Sequence, residues 1–421
     1  AITEVTNHAQ VRAWVNAQGV ETASVAKGRV QEMLESDLSP EVRLVLQTRA
    51  DAGRSSVAKL DSMLAVAGAD DRLRGLLLYH AASTGRWGGR LVQPHNFPRG
   101  EFEKPEHVEA FIPDVLSGNY DRIDLIAHPI VVVLSMLRSM LVAAPGKTLI
   151  AADFSAIEAR VVNWLAGQTD IVALFAEGKD VYKYNAARLY RVPVTTITKK
   201  QRQGGKFQEL GCGFGMGWKK AITAGKTMYD IDLDEQSSKD LINAYRETHA
   251  NVVQFWYAAE AACIAAVENP GAVQVFGAHK NLKAIVAGSY LYIVLPSGRP
   301  LCFASPRVVE AETPWGAIKP QVEYSGVDPL SRKWGRLRLY GGLIVENIVQ
   351  AVARDLMAEG MFRVEAAGYP VVLDVHDEIV SEVDEDFGSV EEYEKLLSEV
   401  PDWARGCPVA AEGWRGQRYR K

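Results

Sequence analysis

The stretch VLDVHDEIVSEV, residues 372–383, decides how the rest of the chain is read. Two apolar, β-branched arms flank His376, Asp377 and Glu378. Alternating arms of this kind read as strands, which puts the triplet at the turn of a hairpin. Adjacent carboxylates repel, so a hairpin built for burial presents them only to water or to positive charge.

A second acid stands in a similar place. APGKTLIAADFS (144–155) reads as a turn followed by a short buried strand ending at Asp153. If the two strands lie side by side in one sheet, Asp153 and Asp377 meet. Two carboxylates in a dry site call for a cation. Carboxylates with room for phosphate oxygens suit Mg²⁺, and a pair of such ions suits in-line attack at phosphorus. Either acid alone would be read as a turn residue or a helix cap.

Between 183 and 226 the chain carries ten Lys and Arg against one acid, Glu209, although its net charge is −5. A solvated surface helix accounts for such a run. Its middle, TKKQRQGGKFQELGCGFGMG (198–217), is more ordered than that. Thr198 with Gln201 predicts a capping box and a helix start. Arg202, Lys206, Leu210 and Phe214 follow at four-residue spacing, cationic first and apolar last. That gradient fits a nucleotide, with triphosphate on the bases and sugar and base beyond, and it also fits an exposed amphipathic helix. Gly204 and Gly205 each cost a helix about 1 kcal/mol, tolerable where a backbone must pack closely or a helix must move.

A third stretch, YHAASTGRWGGRLVQPHNFP (79–98), sets Arg86 and Arg90 among glycines, followed by Gln93, His95 and Asn96. Long donors on a loop suit phosphates and groove edges, and they also suit an ordinary surface loop.

Elsewhere the pattern is coarse. Residues 1–78 read as mostly helical, 79–100 as loop, 156–165 and 170–268 as helical, 290–304 as a hairpin around P-S-G, and 343–368 as one amphipathic helix. The stripe of that last helix runs through Ile344, Ile348, Val352 and Leu356, and Gly368 and Pro370 end it. The apolar run 130–145 contains Arg138 and reads as core, so no membrane partner is expected. Cys212, Cys263, Cys302 and Cys407 lie far apart, which argues against zinc or a disulfide framework and for a reducing cytoplasm.

These three constellations, in this order, resemble the family A DNA polymerases, the group of bacterial DNA polymerase I. The resemblance runs from about Tyr79 to Val383. DFSAIEAR (153–160) resembles the first catalytic motif, RQGGKFQELGCGFG (202–215) the nucleotide-binding helix, and VHDE (375–378) the third motif. Thr84-Gly85-Arg86 matches the family's T-G-R, and HNFP (95–98) resembles the segment after it. Phrases such as YGGLIVENIVQAVARDL look most like the bacteriophage and prophage branch.

The resemblance implies an α+β right-hand polymerase fold with an antiparallel-sheet palm, mostly helical fingers and a partial or truncated helical thumb. Residues 1–78 would be thumb remnant and palm entry, 79–164 the first part of the palm, 165–340 the fingers with the nucleotide-binding helix at 199–217, and 341–421 the second part of the palm. It implies templated addition of deoxynucleoside triphosphates to a primer 3′-hydroxyl. Asp153, Asp377 and the carbonyl of Phe154 would hold two Mg²⁺ ions, with Mn²⁺ as a substitute, and Glu378 would be a secondary carboxylate. Arg202 and Lys206 would clamp phosphates, Lys206 also protonating the leaving group, and Glu158 would exclude a 2′-hydroxyl. Arg86, Asn96, Gln350 and His376 would contact the primer–template DNA.

Three positions depart from the family pattern: Leu210 where Phe or Tyr is usual, Phe214 where Tyr is usual, and Tyr182 where a phosphate-contacting His is common. Phe214 can stack but has no hydroxyl for Glu158. No exonuclease carboxylate set is visible, and residues 1–78 are short for a full thumb, so a fragment or minimal form is expected, its exonuclease and thumb functions lying in missing sequence or accessory proteins. The expected location is the cytoplasm, that of a bacterial host for a phage chain. Alternatives are a single-subunit RNA polymerase, against which Glu158 argues; a catalytically weak DNA-binding remnant; and a metal-dependent nuclease, which leaves the cationic-to-aromatic helix unexplained.

Overall fold

The structure is a computed structural model that describes residues 2–52, 58–98, 105–125, 129–313, 316–328 and 331–420. The expected helix across 53–57 and the end of the expected loop at 99–100 lie outside the described residues. The chain forms two units. One comprises residues 1–78, 88–149 and 416–421, the other 79–87 and 150–415.

The first unit is mainly helical: α1 (His8–Ala17), α2 (Lys27–Leu34), α3 (Pro40–Ala52), α4 (Ala58–Val66), α5 (Pro105–Glu109), α6 (Ile112–Ser117), α7 (Tyr120–Asp124) and α8 (Pro129–Ser135). A two-residue ladder joins β1 (Leu77–Leu78) to β2 (Gly88–Gly89). Val11, Val15, Val30, Val42 and Leu46 form one small core, and Val92, Phe97, Leu134 and Leu137 another. The apolar run 130–145 is interior only in part: Val132, Leu134, Met136 and Leu137 are buried, whereas Val142 is 49% exposed. Arg138 donates to the carbonyl of Phe97 at 3.2 Å and lies over the Tyr419 ring.

The second unit carries the three motifs. Its first sheet has the order β10–β11–β3–β12, from β10 (Val371–Val375), β11 (Glu378–Asp384), β3 (Lys147–Phe154) and β12 (Ala411–Gly416). β3 is internal, and residues 148–152 are all buried. An unbroken apolar run is what a strand covered on both faces requires. Helices α9 (Ile157–Ala166), α10 (Thr169–Ala176), α11 (Val181–Tyr190), α12 (Lys199–Gly211), α13 (Trp218–Tyr229), α14 (Glu235–Thr248) and α15 (Ala250–Glu268) follow, the helical stretch the sequence indicates.

The sequence reading finds only one hairpin in the next hundred residues, whereas the chain builds a six-stranded antiparallel meander there. It consists of β4 (Gln274–Phe276), β5 (Leu282–Ala287), β6 (Tyr290–Val294), β7 (Pro300–Glu312), β8 (Ile318–Val327) and β9 (Trp334–Leu339). One face packs on α15, whose Phe255, Ala259 and Cys263 are buried in the main core with Phe276, Leu291 and Val322. α15 is long and apolar enough to cross a membrane, and here one side of it is buried in the main core while residues such as Tyr257 are exposed. α16 (Gly341–Ala366) buries the expected stripe, with Ile344, Ile348, Val352 and Leu356 at most 2% exposed. α17 (Val390–Ser398) covers its far end, with Leu397 against Gly360.

Candidate nucleotidyl-transfer site

The hairpin of the opening stretch forms, but its turn is shorter than the triplet read there, because Glu378 pairs in the ladder and is the first residue of β11. Val375 pairs with Glu378, which leaves His376 and Asp377 as its two-residue turn. His376 sits at φ 59°, a left-handed position that histidine tolerates better than most residues. β11 lies beside β3, and the Phe154 N–H donates to the carbonyl of Asp377 at 2.9 Å. This backbone bond brings the end of β3, with half-buried Asp153, against the hairpin tip. The two acids are 224 positions apart in sequence and neighbours in the sheet. Among the described residues no cluster of three or more His, Cys, Asp or Glu side chains could cage an ion. Two carboxylates and a strand-end carbonyl are hard oxygen donors that fit Mg²⁺, which keeps the rest of its shell for water and phosphate.

Glu378 is 1% exposed and accepts from Trp414 Nε1 at 3.1 Å. One of its oxygens is therefore engaged with β12 inside the sheet. Arg160, the last residue of DFSAIEAR, is also structural. It donates to the carbonyls of Ser155 and Pro408, both at 2.6 Å, and fixes the loop that follows β3.

Arg86 reaches the acids from the T-G-R loop. Its guanidinium bonds Glu158 in the first turn of α9 and lies 3.9 Å from Asp377 Oδ1. A single arginine thus offsets charge on two of the expected site carboxylates. The loop that presents it is held by a cluster the sequence reading missed. Asp355 on α16, 5% exposed, accepts from Ser297 Oγ at 2.6 Å and Arg299 Nε at 2.7 Å. Arg299 in turn donates to the Thr84 carbonyl at 2.9 Å, and Arg354 donates to that of Gly85 at 3.0 Å. Gly85 has φ 88°, and a β-carbon there would lie 2.7 Å from Arg299, so only glycine fits. The available signal was an aspartate inside an otherwise apolar helical stripe.

α16 also carries Glu346 and Gln350, which donates to Glu346 at 3.4 Å. Burial, and then the charge of Glu158, pushes the Glu346 carboxyl above its ordinary value against the pull of Lys220 and Arg86. Glu346 was not anticipated either. Asn96 lies in the first unit, in a 3₁₀ turn (Pro94–Asn96), donating to Gln93 at 2.9 Å.

α12 begins as expected, with both bonds of the Thr198–Gln201 capping box present. Arg202 donates to Asp180 at 2.7 Å and lies 4.9 Å from the centre of the Tyr182 ring. Burial opposes the Asp180 carboxylate, but Arg202 and the Lys183 N–H outweigh it and hold its pKa below the usual value. Burial, and then the charge of Glu209, raises the Tyr182 phenol to about 12, so it stays neutral. Lys206, one turn on and half-buried, makes no hydrogen bond or ion pair with any described residue. A cleft of about 880 Å³ opens beside Arg202, lined also by Ser155, Ala156, Asp180 and Tyr182.

The apolar end of the stripe differs from the expectation. Leu210 packs against Ile171, Leu174, Phe175 and Val181 in an interior cluster. α12 ends at Gly211, and Phe214 lies in a 3₁₀ turn (Cys212–Phe214) beyond it, packed against the main core. The four-residue stripe therefore stops at Leu210. The two glycines serve close packing: a β-carbon on Gly205 would lie 1.9 Å from the Tyr182 carbonyl of α11, and one on Gly204 2.7 Å from the Tyr190 hydroxyl.

Residues 130–287 match the model of DNA polymerase family A. Over 417 residues the chain is 36% identical to the DNA polymerase of Bacillus phage SP02, covering 98% of this chain and 62% of that protein. It is 25% identical over 281 residues to the thermostable DNA polymerase I of Thermus filiformis, across 66% of this chain and 27% of that one. Among solved structures, the POL domain of Pol1 from M. smegmatis, in complex with DNA primer-template and dNTP, superposes with a TM-score of 0.57 at 17% identity. That likeness covers 99% of this chain and 61% of the other, and it supports the α+β polymerase fold. The chain thus spans somewhat under two thirds of the length of its phage relative. In its motif order, its matched segment and its likeness to a phage enzyme along nearly its whole length, the chain is similar to the members of DNA polymerase family A.

Proposed function

We propose that this chain is a DNA-templated DNA polymerase that adds deoxynucleotides to a primer 3′-hydroxyl. The observation that carries the reading is the Phe154–Asp377 backbone bond, which sets Asp153 and Asp377 at adjoining strand ends beside the Arg86–Glu158 pair. Asp153, Asp377 and the Phe154 carbonyl would hold two Mg²⁺ ions, or Mn²⁺ in their place. Bound there, the ions would lower the pKa of the primer hydroxyl and offset charge on the triphosphate.

The chain's own groups supply the rest. Arg202 exchanges the Asp180 carboxylate for a phosphate, which carries more charge and accepts two parallel hydrogen bonds. Lys206 has no competing protein partner among the described residues and is placed to give a proton to the leaving pyrophosphate. The cleft beside Ser155, Tyr182 and Arg202 takes the phosphate tail. Glu158 lies under the sugar and collides with a ribose 2′-hydroxyl. Arg86, Gln350 and His376 meet the minor groove at the primer end, where correct pairs present acceptors in similar places, and Asn96 adds a contact to the duplex. Glu378 supports the site from within the sheet. In this reading residues 79–164 and 341–421 act as palm, 165–340 as fingers and 1–78 as a thumb remnant. In this reading the chain works in the cytoplasm of the cell that holds the gene.

Extension of a labelled primer with Mg²⁺ and each dNTP singly tests the proposal. Templated addition is expected, with Asp377→Ala slower by several orders of magnitude and still able to bind DNA. Equal use of ribonucleotides would point to an RNA polymerase, shortening of the primer to a nuclease, and an inert wild type to a remnant of the fold.

A further inference from the structure

The six-stranded meander has one face on α15, and its other face is unlike an ordinary solvated sheet surface near the β9 edge. β9 is the last strand of the sheet. Its register pairs Val322 with Leu339 and Tyr324 with Leu337, the face that packs inward. The alternate residues Trp334, Arg336 and Arg338 therefore project from the opposite face, and Tyr340 continues the phase. All four are exposed, Trp334 at 69%. Arg307 on β7 lies on the same face, sharing Glu323 of β8 with Arg336 at 2.6 and 3.5 Å. Three arginines face outward there against one largely buried glutamate.

We propose that this outer edge is a track for single-stranded DNA, and that it guides the unpaired template toward the nucleotide site. The inference rests on the polymerase reading above and extends it to the strand that has not yet been copied. Three features select this partner. Alternate residues on a strand repeat every 6.6–6.8 Å or so, close to the reach of one extended nucleotide. An exposed indole and phenol bracketing two guanidiniums offer stacking surfaces that only unpaired bases can use, because duplex bases are already stacked. The track also ends at the nucleotide-binding segment: the Tyr340 ring edge lies 4.0 Å from the position a β-carbon would take on Gly215, the residue after Phe214. Template leaving the strip at Tyr340 would arrive beside the turn that closes α12.

Fluorescence anisotropy of a labelled (dT)₂₀ oligonucleotide with the whole chain tests the proposal. Arg336→Gln/Arg338→Gln should weaken binding at least tenfold and flatten the dependence of log K on log salt by about 1.4, the value for two lost phosphate contacts. Arg336→Lys/Arg338→Lys should restore the slope, since the charge returns. Trp334→Ala should weaken binding roughly fivefold or more with the slope unchanged, because stacking releases no counterions. Primer extension on a one-nucleotide overhang should match the wild type in every variant, whereas extension on a long overhang should slow. Unchanged (dT)₂₀ affinity and slope in the glutamine double variant would overturn the track, as would a blunt duplex of equal length competing as well as (dT)₂₀. If the wild type extends no primer, the polymerase reading fails while the binding data still decide whether the strip holds single strands.

Discussion

Replacing Gly205 with alanine tests how α12 is seated. A β-carbon at this position would lie 1.9 Å from the Tyr182 carbonyl oxygen and 2.7 Å from the Ala186 nitrogen, both in the backbone of α11. Ordinary carbon–oxygen contacts begin near 3.3 Å, so the two helices must part by something like 1.4 Å. No rotamer change relieves this, because the obstacle is main chain. Overpacking of this kind costs up to about 3 kcal/mol, and the better helix propensity of alanine returns about 1 kcal/mol. The net expectation is a loss of about 2 kcal/mol, read as a lower urea midpoint at unchanged slope. The parting also displaces Arg202 and Lys206, so KM for dNTP should rise. Gly28→Ala is the control: no atom lies within 4 Å of its β-carbon position on α2, and it should be neutral or stabilising. A Gly205→Ala protein as stable as the wild type would refute the argument, since it would mean that the two helices do not touch through this glycine.

Other substitutions probe separate parts of the account. Glu209 accepts from Asn163 at 2.7 Å and Asn185 at 2.6 Å and pairs with His249 at 3.1 Å, all buried. Glu209→Leu strands these partners and should cost more than about 3 kcal/mol in urea unfolding; a loss under 1 kcal/mol would contradict the network. Asp180 has its folded pKa held below the ordinary carboxylate value, so its pairing stabilises the protein above about pH 5 and fades as pH falls through that folded value. With both partners about a third exposed, the stability gap between wild type and Asp180→Asn should stay under about 1 kcal/mol at neutral pH and close in acid, and a gap constant from pH 3 to 7 would exclude the pairing. Cys302 is exposed, whereas Cys212, Cys263 and Cys407 are buried, with thiols raised to about 12 by burial. A colorimetric thiol titration of the native chain should find one fast group, absent in Cys302→Ser, and four after unfolding.

The parts of the site carried by local grammar were legible in the sequence. The hairpin at 372–383 is announced by alternation and a polar turn, and the start of α12 by Thr198 and Gln201, because each depends on neighbours a few residues away. The meeting of Asp153 with Asp377 was a conjecture about strand order, supported by the bond between Phe154 and Asp377. The meander from 274 to 339 escaped because its strands mix polar and apolar residues on a sheet with one open face, as Arg336, Leu337 and Arg338 do. Glu209 is the single acid in the basic run 183–226, yet it is 2% exposed. Nothing within its own helix reveals that its partners come from α9, α11 and the α14–α15 junction. Asp355 hid in the same way, its arginine partners being one neighbour in sequence and one residue 56 positions away.

The central claim is that Asp153 and Asp377 act as one binding unit. A titration with Mn²⁺ followed by electron paramagnetic resonance, on wild type, Asp153→Asn, Asp377→Asn and the double variant, measures this most directly. If the two side chains share ions, either single substitution should weaken binding by a similar large factor, and the double variant should lose little more. Independent, additive losses, or a single variant that binds Mn²⁺ as the wild type does, would contradict the account.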